Sequence, residues 1–212
     1  MKKIICFDVN GTLVNGKTWD LLVCGRKDVG KEIEDNFDLY YRKEIKIGEA
    51  WSRLVSILKL AGMSSREYLN SRCGDGKDFK EGAEDILSYL KQKGYKIYLI
   101  SCSIDIHLDN IVAKMNLDGR YAGSHLIFDD AGELVSIKTD CIKEGEFKKE
   151  CLEDLSQKEG VDIKDMIFVG DGNNDINPFK MTGHGIAIGD NQELIAVSWK
   201  QIKNLSQIKE IL

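Results

Sequence analysis

The sequence predicts an α/β fold: a doubly wound parallel sheet with a small helical cap inserted after the first strand. Three observations predict it. Short apolar segments with the pattern of buried strands alternate with helical segments, which is the chain order of a parallel sheet with helices on both faces. Residues 15–74 interrupt this alternation, because they show helical periodicity and no convincing strand. Residues 125–137 carry two strand-like pieces around "DDAG", which predicts a β-hairpin.

The four buried strands are predicted at residues 3–8, 96–101, 166–171 and 185–190. Their apolar runs are nearly continuous, as expected for strands covered on both faces. Helices are predicted at residues 81–93, 105–116, 145–159 and 174–181. Gly94 and Gly160 stand where helix C-caps belong. Such Rossmann-like sheets bind their ligands at the carboxyl ends of the strands.

The helical insertion contains "EAWSRLVSILKLAG", whose apolar residues recur at spacings of three and four and predict an amphipathic helix ended by Gly62. We therefore expect residues 1–14 and 75–212 to form the α/β core. Residues 15–74 would form a helical cap domain.

Composition narrows the function classes. The 212-residue chain has a net charge of −5, so we expect no nucleic-acid partner. Nothing approaches the ~18 apolar residues of a membrane span, so we expect no membrane partner. Without a signal-peptide pattern the expected location is the cytoplasm. The sequence leaves monomer and homodimer both open.

The six cysteines show no CxxC spacing and no pairing with nearby histidines. Disulfides need an oxidising compartment, and no export signal indicates one. We therefore expect free thiols.

Polar residues follow three of the predicted strands: Asp8, Ser101 and Asp171. Because the carboxyl ends of parallel strands meet at one edge of a sheet, these side chains should converge there. Asp175 lies four residues beyond Asp171 and faces the same side if the turn runs into a helix.

The segments "DVNGTLV", "LISCS" and "VGDGNNDINPF", with a lysine upstream of the last, resemble the four signature motifs of the haloacid dehalogenase superfamily. The chain most resembles its phosphoserine phosphatase-like branch, from residue 3 to about residue 190. The resemblance implies a Mg²⁺-dependent phosphatase that acts on a small phosphorylated metabolite through an aspartyl-phosphate. A binding protein with little turnover is the alternative from a different class.

Within this resemblance, Asp8 is the expected nucleophile, although an Asp after a strand is often only a turn or cap residue. Asp8 and Asp171 supply hard oxygen ligands suited to Mg²⁺. In the family, the main-chain carbonyl at the position of Asn10 is a further metal ligand, and the Asp at the position of Asp175 supports the metal from close range.

The phosphate would be bound by the hydroxyl of Ser101 and by the amides of Cys102 and Ser103. Ser101 is preferred to Ser103 as the hydroxyl donor, because it directly follows the apolar strand.

Lys148 matches the phosphate-binding lysine of the family, with Lys149 and Lys138 as alternatives. Its charge would offset that of Asp8 and of the transferring phosphoryl group. Asn174 matches a position that contacts the substrate.

Asn10 departs from the family pattern, which usually has an Asp there that protonates the leaving oxygen and later activates water. An amide cannot transfer that proton, and its loss should cost ~10²–10⁴-fold in rate for alkoxide leaving groups. Three explanations stay open: an engineered change, a substrate with an acidic leaving group such as an acyl or enol phosphate, or a weak relative that binds phosphate.

The cap should set specificity. Lys17 stands where phosphoserine phosphatases use an acidic residue, and with Arg53 it would suit a second anionic group. Cys102 and Ser103 replace the two glycines of those enzymes, which also weakens phosphoserine as the substrate. A phosphonate-cleaving enzyme, with Lys17 as an imine former, is a weaker alternative.

Overall fold

A seven-stranded sheet organises the protein. The computed structural model describes residues 3–73 and 78–212. The strands are β1 (Lys3–Phe7), β2 (Tyr95–Ile104), β3 (Gly119–Phe128), β4 (Leu134–Thr139), β5 (Met166–Gly170), β6 (Gly185–Ile188) and β7 (Lys200–Ile202). Their order is β4-β3-β2-β1-β5-β6-β7. Only the β3–β4 pair is antiparallel among the described strands.

Helices flank the sheet and fill the insertion. The insertion holds α1 (Thr18–Val23), α2 (Lys27–Tyr41), α3 (Ile47–Leu60) and α4 (Arg66–Arg72). The core holds α5 (Ala83–Gln92), α6 (Asp105–Met115), α7 (Glu144–Glu159), α8 (Ile176–Thr182), α9 (Gln192–Ile195) and α10 (Ile208–Ile211). None of the helices in the described ranges is long and apolar enough to cross a membrane.

β1 shows why the strands are apolar throughout. Ile5 and Phe7 pack into one cluster with α5 and α6, whereas Ile4 and Cys6 pack into another with α7. Successive side chains of a strand point to opposite faces, and here helices cover both faces. The predicted doubly wound sheet is confirmed.

The predicted hairpin is the β3–β4 pair, but β3 is longer than expected. It begins at Gly119 and pairs in parallel with β2 before it turns into the hairpin. The segment 119–124 contains glycines and an arginine, so its sequence lacks the apolar run of a buried strand. β7, a three-residue edge strand, was also not predicted.

The insertion α1–α4 has its own apolar cluster, which includes Ile33, Leu54 and Leu58 and extends to Leu126 and Leu134 of the hairpin. The insertion therefore packs against the hairpin end of the sheet. The domain limits at 14/15 and 74/75 stay a prediction, and residues 74–77 lie outside the described residues.

A disulfide joins Cys102 of β2 to Cys141, which follows β4, with Cα atoms 5.7 Å apart. The expectation of six free thiols is therefore wrong for these two. The backbone N–H of Cys141 donates to the Gly123 carbonyl at 3.2 Å, which holds this turn beside β2 and β3. Spacing could not show the pairing, because it depends on the β3–β4 hairpin folding back across 39 residues.

Candidate active site

The carboxyl ends of β1, β2 and β5 meet at a cavity of about 910 Å³ that lies between the sheet and helices α1–α3. Asp8, Asn10 and Ser101 line it on the sheet side. Ligand atoms of Asp8, Asp171 and Asp175 all lie within 4.8 Å of one another. The structure therefore brings these residues together, although Ser101 lies inside β2, which continues to Ile104, and not at the end of the strand as predicted.

Lys148 of α7 is the cation of this cluster. Its side chain is fully buried, and its Nζ lies 3.1 Å from Asp8 Oδ2 and 2.6 Å from Asp175 Oδ1. Burial acts to lower the pKa of Lys148, but the charges of Asp175 and Asp8 outweigh it and raise that pKa. The ammonium group is thus protonated and fixed against Asp8.

The two other lysines considered lie elsewhere. Lys149 lies 4.0 Å from Glu153, and Lys138 lies 3.3 Å from Asp140 with most of its side chain exposed. Of the three, the geometry brings Lys148 alone to the carboxylates.

Asp171 is held against the turn that follows β1. Thr12 Oγ1 donates to Asp171 Oδ1 at 2.7 Å. Gly11 has φ +79°, and a Cβ atom there would overlap the Asp171 carboxylate. Only glycine allows this close approach without strain. Burial raises the pKa of Asp171, while the hydrogen bond from Thr12 lowers it.

The carboxylate cluster fits a hard divalent cation such as Mg²⁺. Asp175 accepts from Lys148 with Oδ1 and from the N–H groups of Asp171 and Gly172 with Oδ2, both at 3.0 Å. In the described part of the chain, Asp8 Oδ1 and Asp171 Oδ2 accept no hydrogen bond. These two oxygens are therefore available as metal ligands. Asp175 holds the backbone of Asp171 and Gly172 in place beside them.

A hydroxyl chain connects Asn10 to the helical insertion. Thr18 Oγ1 donates to Asn10 Oδ1 at 3.1 Å and lies 2.5 Å from Ser103 Oγ. The Ser103 hydroxyl is therefore already hydrogen-bonded to Thr18 of α1. Ser101 is buried at the cavity, and among the described residues its Oγ has a single hydrogen-bond contact, at 3.4 Å with the N–H of Ser103. This favours Ser101 as the hydroxyl donor to a ligand.

Comparison with known proteins agrees with this geometry. The family model of the haloacid dehalogenase-like hydrolases matches residues 2–183. The chain belongs to the haloacid dehalogenase-like hydrolases. The family and the enzyme class expected from the sequence, a phosphoric monoester hydrolase, are confirmed.

Several proteins similar to this hydrolase are phosphoserine phosphatases by name. It is 32% identical over 186 residues to a phosphoserine phosphatase of Methanocaldococcus jannaschii, covering 88% of this chain and 85% of the relative. It is 30% identical to a phosphoserine phosphatase of Archaeoglobus fulgidus, covering 91% of this chain and 54% of that one. A solved structure of a substrate-bound phosphoserine phosphatase superposes with a TM-score of 0.78 at 29% identity, covering 100% and 99% of the two chains.

Three of the other expected substrate-binding residues lie at the cavity of the hydrolase. Lys17 lines it and is exposed. Asn174 also lines it, accepts from Lys148 at 3.2 Å and donates to Glu144 at 2.6 Å. Cys102 lines it too, but its sulfur is bonded to Cys141, so its backbone amide is the group left for a ligand.

Arg53 is the expected residue that the structure places elsewhere. It lies on the exposed face of α3, pairs with Glu49 at 2.7 Å and borders a separate groove between α2 and α3. An amphipathic helix shows which residues face its core but not which neighbour covers a given side, so the sequence could not place Arg53. The geometry does not support it as a substrate contact.

Sequence reasoning missed three aromatic residues of the insertion. Trp19, Phe37 and Trp51 all line the cavity. Their ring centroids are 5.8 Å apart for Trp19–Phe37, 5.8 Å for Trp19–Trp51 and 5.4 Å for Phe37–Trp51. We call these three residues the aromatic wall. Each comes from a different helix, so no local spacing in the sequence relates them.

Lys80 and Thr12 were also missed. Lys80 Nζ donates to the carbonyl of Gly11. Together with the hydrogen bond from Thr12 to Asp171, this fixes the turn after β1. Thr12 belongs to the quoted "NGT" motif, which was the available signal for its role.

Proposed function

We propose that the chain is a Mg²⁺-dependent phosphatase of a small phosphorylated metabolite and that it acts through an aspartyl-phosphate on Asp8. The observation that carries the proposal is the position of the Asp8 carboxylate. It is buried at the carboxyl end of β1, with Oδ2 3.1 Å from Nζ of the protonated Lys148. A ligand oxygen of Asp171 lies within 4.8 Å of one of its own.

In the first step an Asp8 oxygen attacks phosphorus, and the bond from phosphorus to the leaving oxygen breaks. The leaving oxygen takes the electron pair. Lys148 offsets the negative charge that Asp8 and the phosphoryl group bring together. Ser101 and the amides after it donate to the phosphoryl oxygens.

In the second step water attacks phosphorus, the bond from phosphorus to Asp8 breaks, and phosphate leaves with both protons of the water, so that Asp8 is restored as a carboxylate. Asp8 and Asp171 would hold Mg²⁺, with the main-chain carbonyl of Asn10 as the further ligand implied by the family. The ion, when bound, stabilises the charge on the transferring phosphoryl group. Asp175 positions Lys148 and the backbone at Asp171.

The Asn10 amide cannot donate a proton to the leaving group. Substrates with alkoxide leaving groups should therefore react slowly, as the sequence predicts. The relatives named phosphoserine phosphatases make phosphoserine a candidate substrate. The exposed Lys17 and the disulfide at Cys102 argue against a pocket of the same design.

A phosphate-binding protein of low turnover remains the second candidate, and Asn10 is the observation that favours it. Phosphonate cleavage is supported less, since Lys17 is exposed and an imine-forming lysine must be desolvated to react as an amine. The helical cap role of residues 15–74, the cytoplasmic location and the choice between monomer and homodimer stay predictions.

Hydrolysis of p-nitrophenyl phosphate tests the proposal, because p-nitrophenolate leaves without a proton donor. We expect turnover that requires Mg²⁺, stops on chelation and is lost in Asp8→Asn. The matched control is Asp190→Asn, an exposed Asp that follows β6 outside the cluster and should keep full activity. Absence of turnover in the unmodified protein would favour the binding protein.

A further inference from the structure

Resting on the proposed function, we propose that the substrate is an aryl phosphate, a phosphate monoester of a flat aromatic hydroxyl compound. Two independent observations point to it: the aromatic wall of the cavity and the amide at Asn10. One concerns the binding of the leaving group and the other its chemistry.

The aromatic wall faces the space into which a leaving group must project. Trp19 belongs to α1, Phe37 to α2 and Trp51 to α3, and all three line the same cavity as Asp8 and Ser101. Aromatic rings bind another ring by offset stacking or edge-to-face contact, worth about 0.5–1.5 kcal/mol beyond burial. A short polar alcohol would leave this surface uncovered.

The size of the cavity agrees with a ring system. At about 910 Å³ it lies near the top of the range of ~300–1,000 Å³ found for sites of whole small molecules. Ile33 and Ile47 add apolar surface to the same side. A phosphoryl group with a three-carbon chain would fill only part of this space.

The charged residues of the cavity suit an amino-acid phosphate less well. No arginine is among the described residues that line it, and its cations are the exposed Lys17 and Lys43. A substrate carboxylate would thus lack the bidentate partner that arginine provides.

Asn10 adds a chemical reason. With Oδ1 accepting from Thr18, the side chain can offer a leaving oxygen a hydrogen bond from Nδ2 but no transferable proton. Phenols have a pKa near ~10, far below that of aliphatic alcohols, so an aryl oxide departs with little proton transfer. In the first step the amide therefore hinders aryl phosphates far less than alkyl phosphates, whereas the missing base of the second step affects all substrates alike.

The test compares 1-naphthyl phosphate, glycerol 2-phosphate and acetyl phosphate as substrates. Acetyl phosphate has an acidic leaving group without a ring, so it separates leaving-group acidity from ring binding. We expect 1-naphthyl phosphate to have a KM at least about tenfold below that of acetyl phosphate. Glycerol 2-phosphate should have a kcat/KM on the order of 10²-fold lower than 1-naphthyl phosphate, because kcat/KM reports the step in which the leaving group departs.

Variants test the wall itself. Trp51→Leu and, separately, Trp19→Leu should raise the KM for 1-naphthyl phosphate about threefold to tenfold, and that for acetyl phosphate by less. The control is Trp199→Leu: Trp199 is 42% exposed, packs on His184 and lies outside the cavity, so its loss should change neither KM. Two single variants guard against one that fails to fold.

The outcomes are distinguishable. Equal KM values for the ring and acyl substrates, or equal rises in both from the wall variants, would overturn the aryl assignment while the phosphatase function stands. No turnover of any of the three substrates would overturn both. A ring-selective KM that only the wall variants weaken is the result expected.

Discussion

Lys148 illustrates at the scale of one residue why a buried charge is retained. An ammonium group without water is costly unless it is paired, and two carboxylates pair it within 3.1 Å. The same contacts place its charge beside the Asp8 oxygen. Under the proposed function, Lys148 therefore contributes to both stability and catalysis.

We expect Lys148→Met to lower kcat on the order of 10²–10³-fold, because Asp8 and the phosphoryl group lose their fixed cation. It should also destabilise the fold, by about 3–5 kcal/mol, since Asp175 is left buried and unpaired. Steady-state kinetics and thermal unfolding measure both effects. Lys149→Met is the matched control, and an equal loss in that variant would refute the assignment.

Asn10→Asp should supply the missing proton donor. The expected gain in kcat/KM for glycerol 2-phosphate is ~10²–10⁴-fold, and the gain in kcat/KM for 1-naphthyl phosphate is much smaller because its leaving group needs less help. Kinetics of both substrates on both proteins measure the difference. Similar gains in kcat/KM for the two substrates would show that the residue at position 10 does not act by protonating the leaving group.

The sequence predicted most of the charged cluster, since Asp8, Asp171 and Asp175 follow from strand ends and one turn of helix. It predicted Lys148 only through the family resemblance. The link from Thr18 to Asn10 and Ser103 was beyond reach, because Thr18 and Ser103 are 85 residues apart. Side-chain contacts between distant elements have no periodic signature.

At the scale of elements, the turn after β1 determines how closely β1 and β5 can bring their carboxylates. Gly11 has φ +79°, and Asp171 lies against it where a side chain would otherwise stand. The four core strands and four core helices were predicted because their apolar patterns are strong. The start of β3 and the edge strand β7 were not, since neither has such a pattern.

Gly11→Ala should weaken Mg²⁺ binding and lower activity because its Cβ displaces Asp171. Gly25→Ala is the matched control: Gly25 has φ +78°, but nothing lies within 4 Å of its added Cβ. Both variants carry the backbone strain of about 1–2 kcal/mol. We expect only Gly11→Ala to raise the Mg²⁺ concentration for half-maximal activity, and equal shifts would contradict the account.

At the scale of the whole molecule, the insertion and the sheet form the two sides of one cavity. Sequence periodicity assigned the aromatic residues of α1–α3 to the helical insertion, but it could not show that they converge on the carboxyl ends of the strands. That convergence depends on how the insertion packs on the β3–β4 hairpin.

His107 links global stability to pH. It is fully buried on α6, and burial lowers its pKa from 6.5 to about 4. The unfolded chain therefore binds a proton more readily, so stability should fall as pH drops from 6.5 towards 4. The shift corresponds to about 3 kcal/mol.

Urea unfolding at a series of pH values measures this effect. His107→Leu should remove that share of the pH dependence, whereas the control His184→Gln should keep it. An unchanged pH profile in His107→Leu would contradict this role for the buried imidazole.

The most direct test of the central claim is to find the phosphoryl group on the enzyme. The protein is mixed with p-nitrophenyl phosphate and Mg²⁺, quenched in acid during turnover and digested with trypsin for mass spectrometry. The account predicts one added phosphoryl group on the peptide of residues 4–17, located at Asp8 and absent from Asp8→Asn. A phosphoryl group on another residue during full turnover would contradict it.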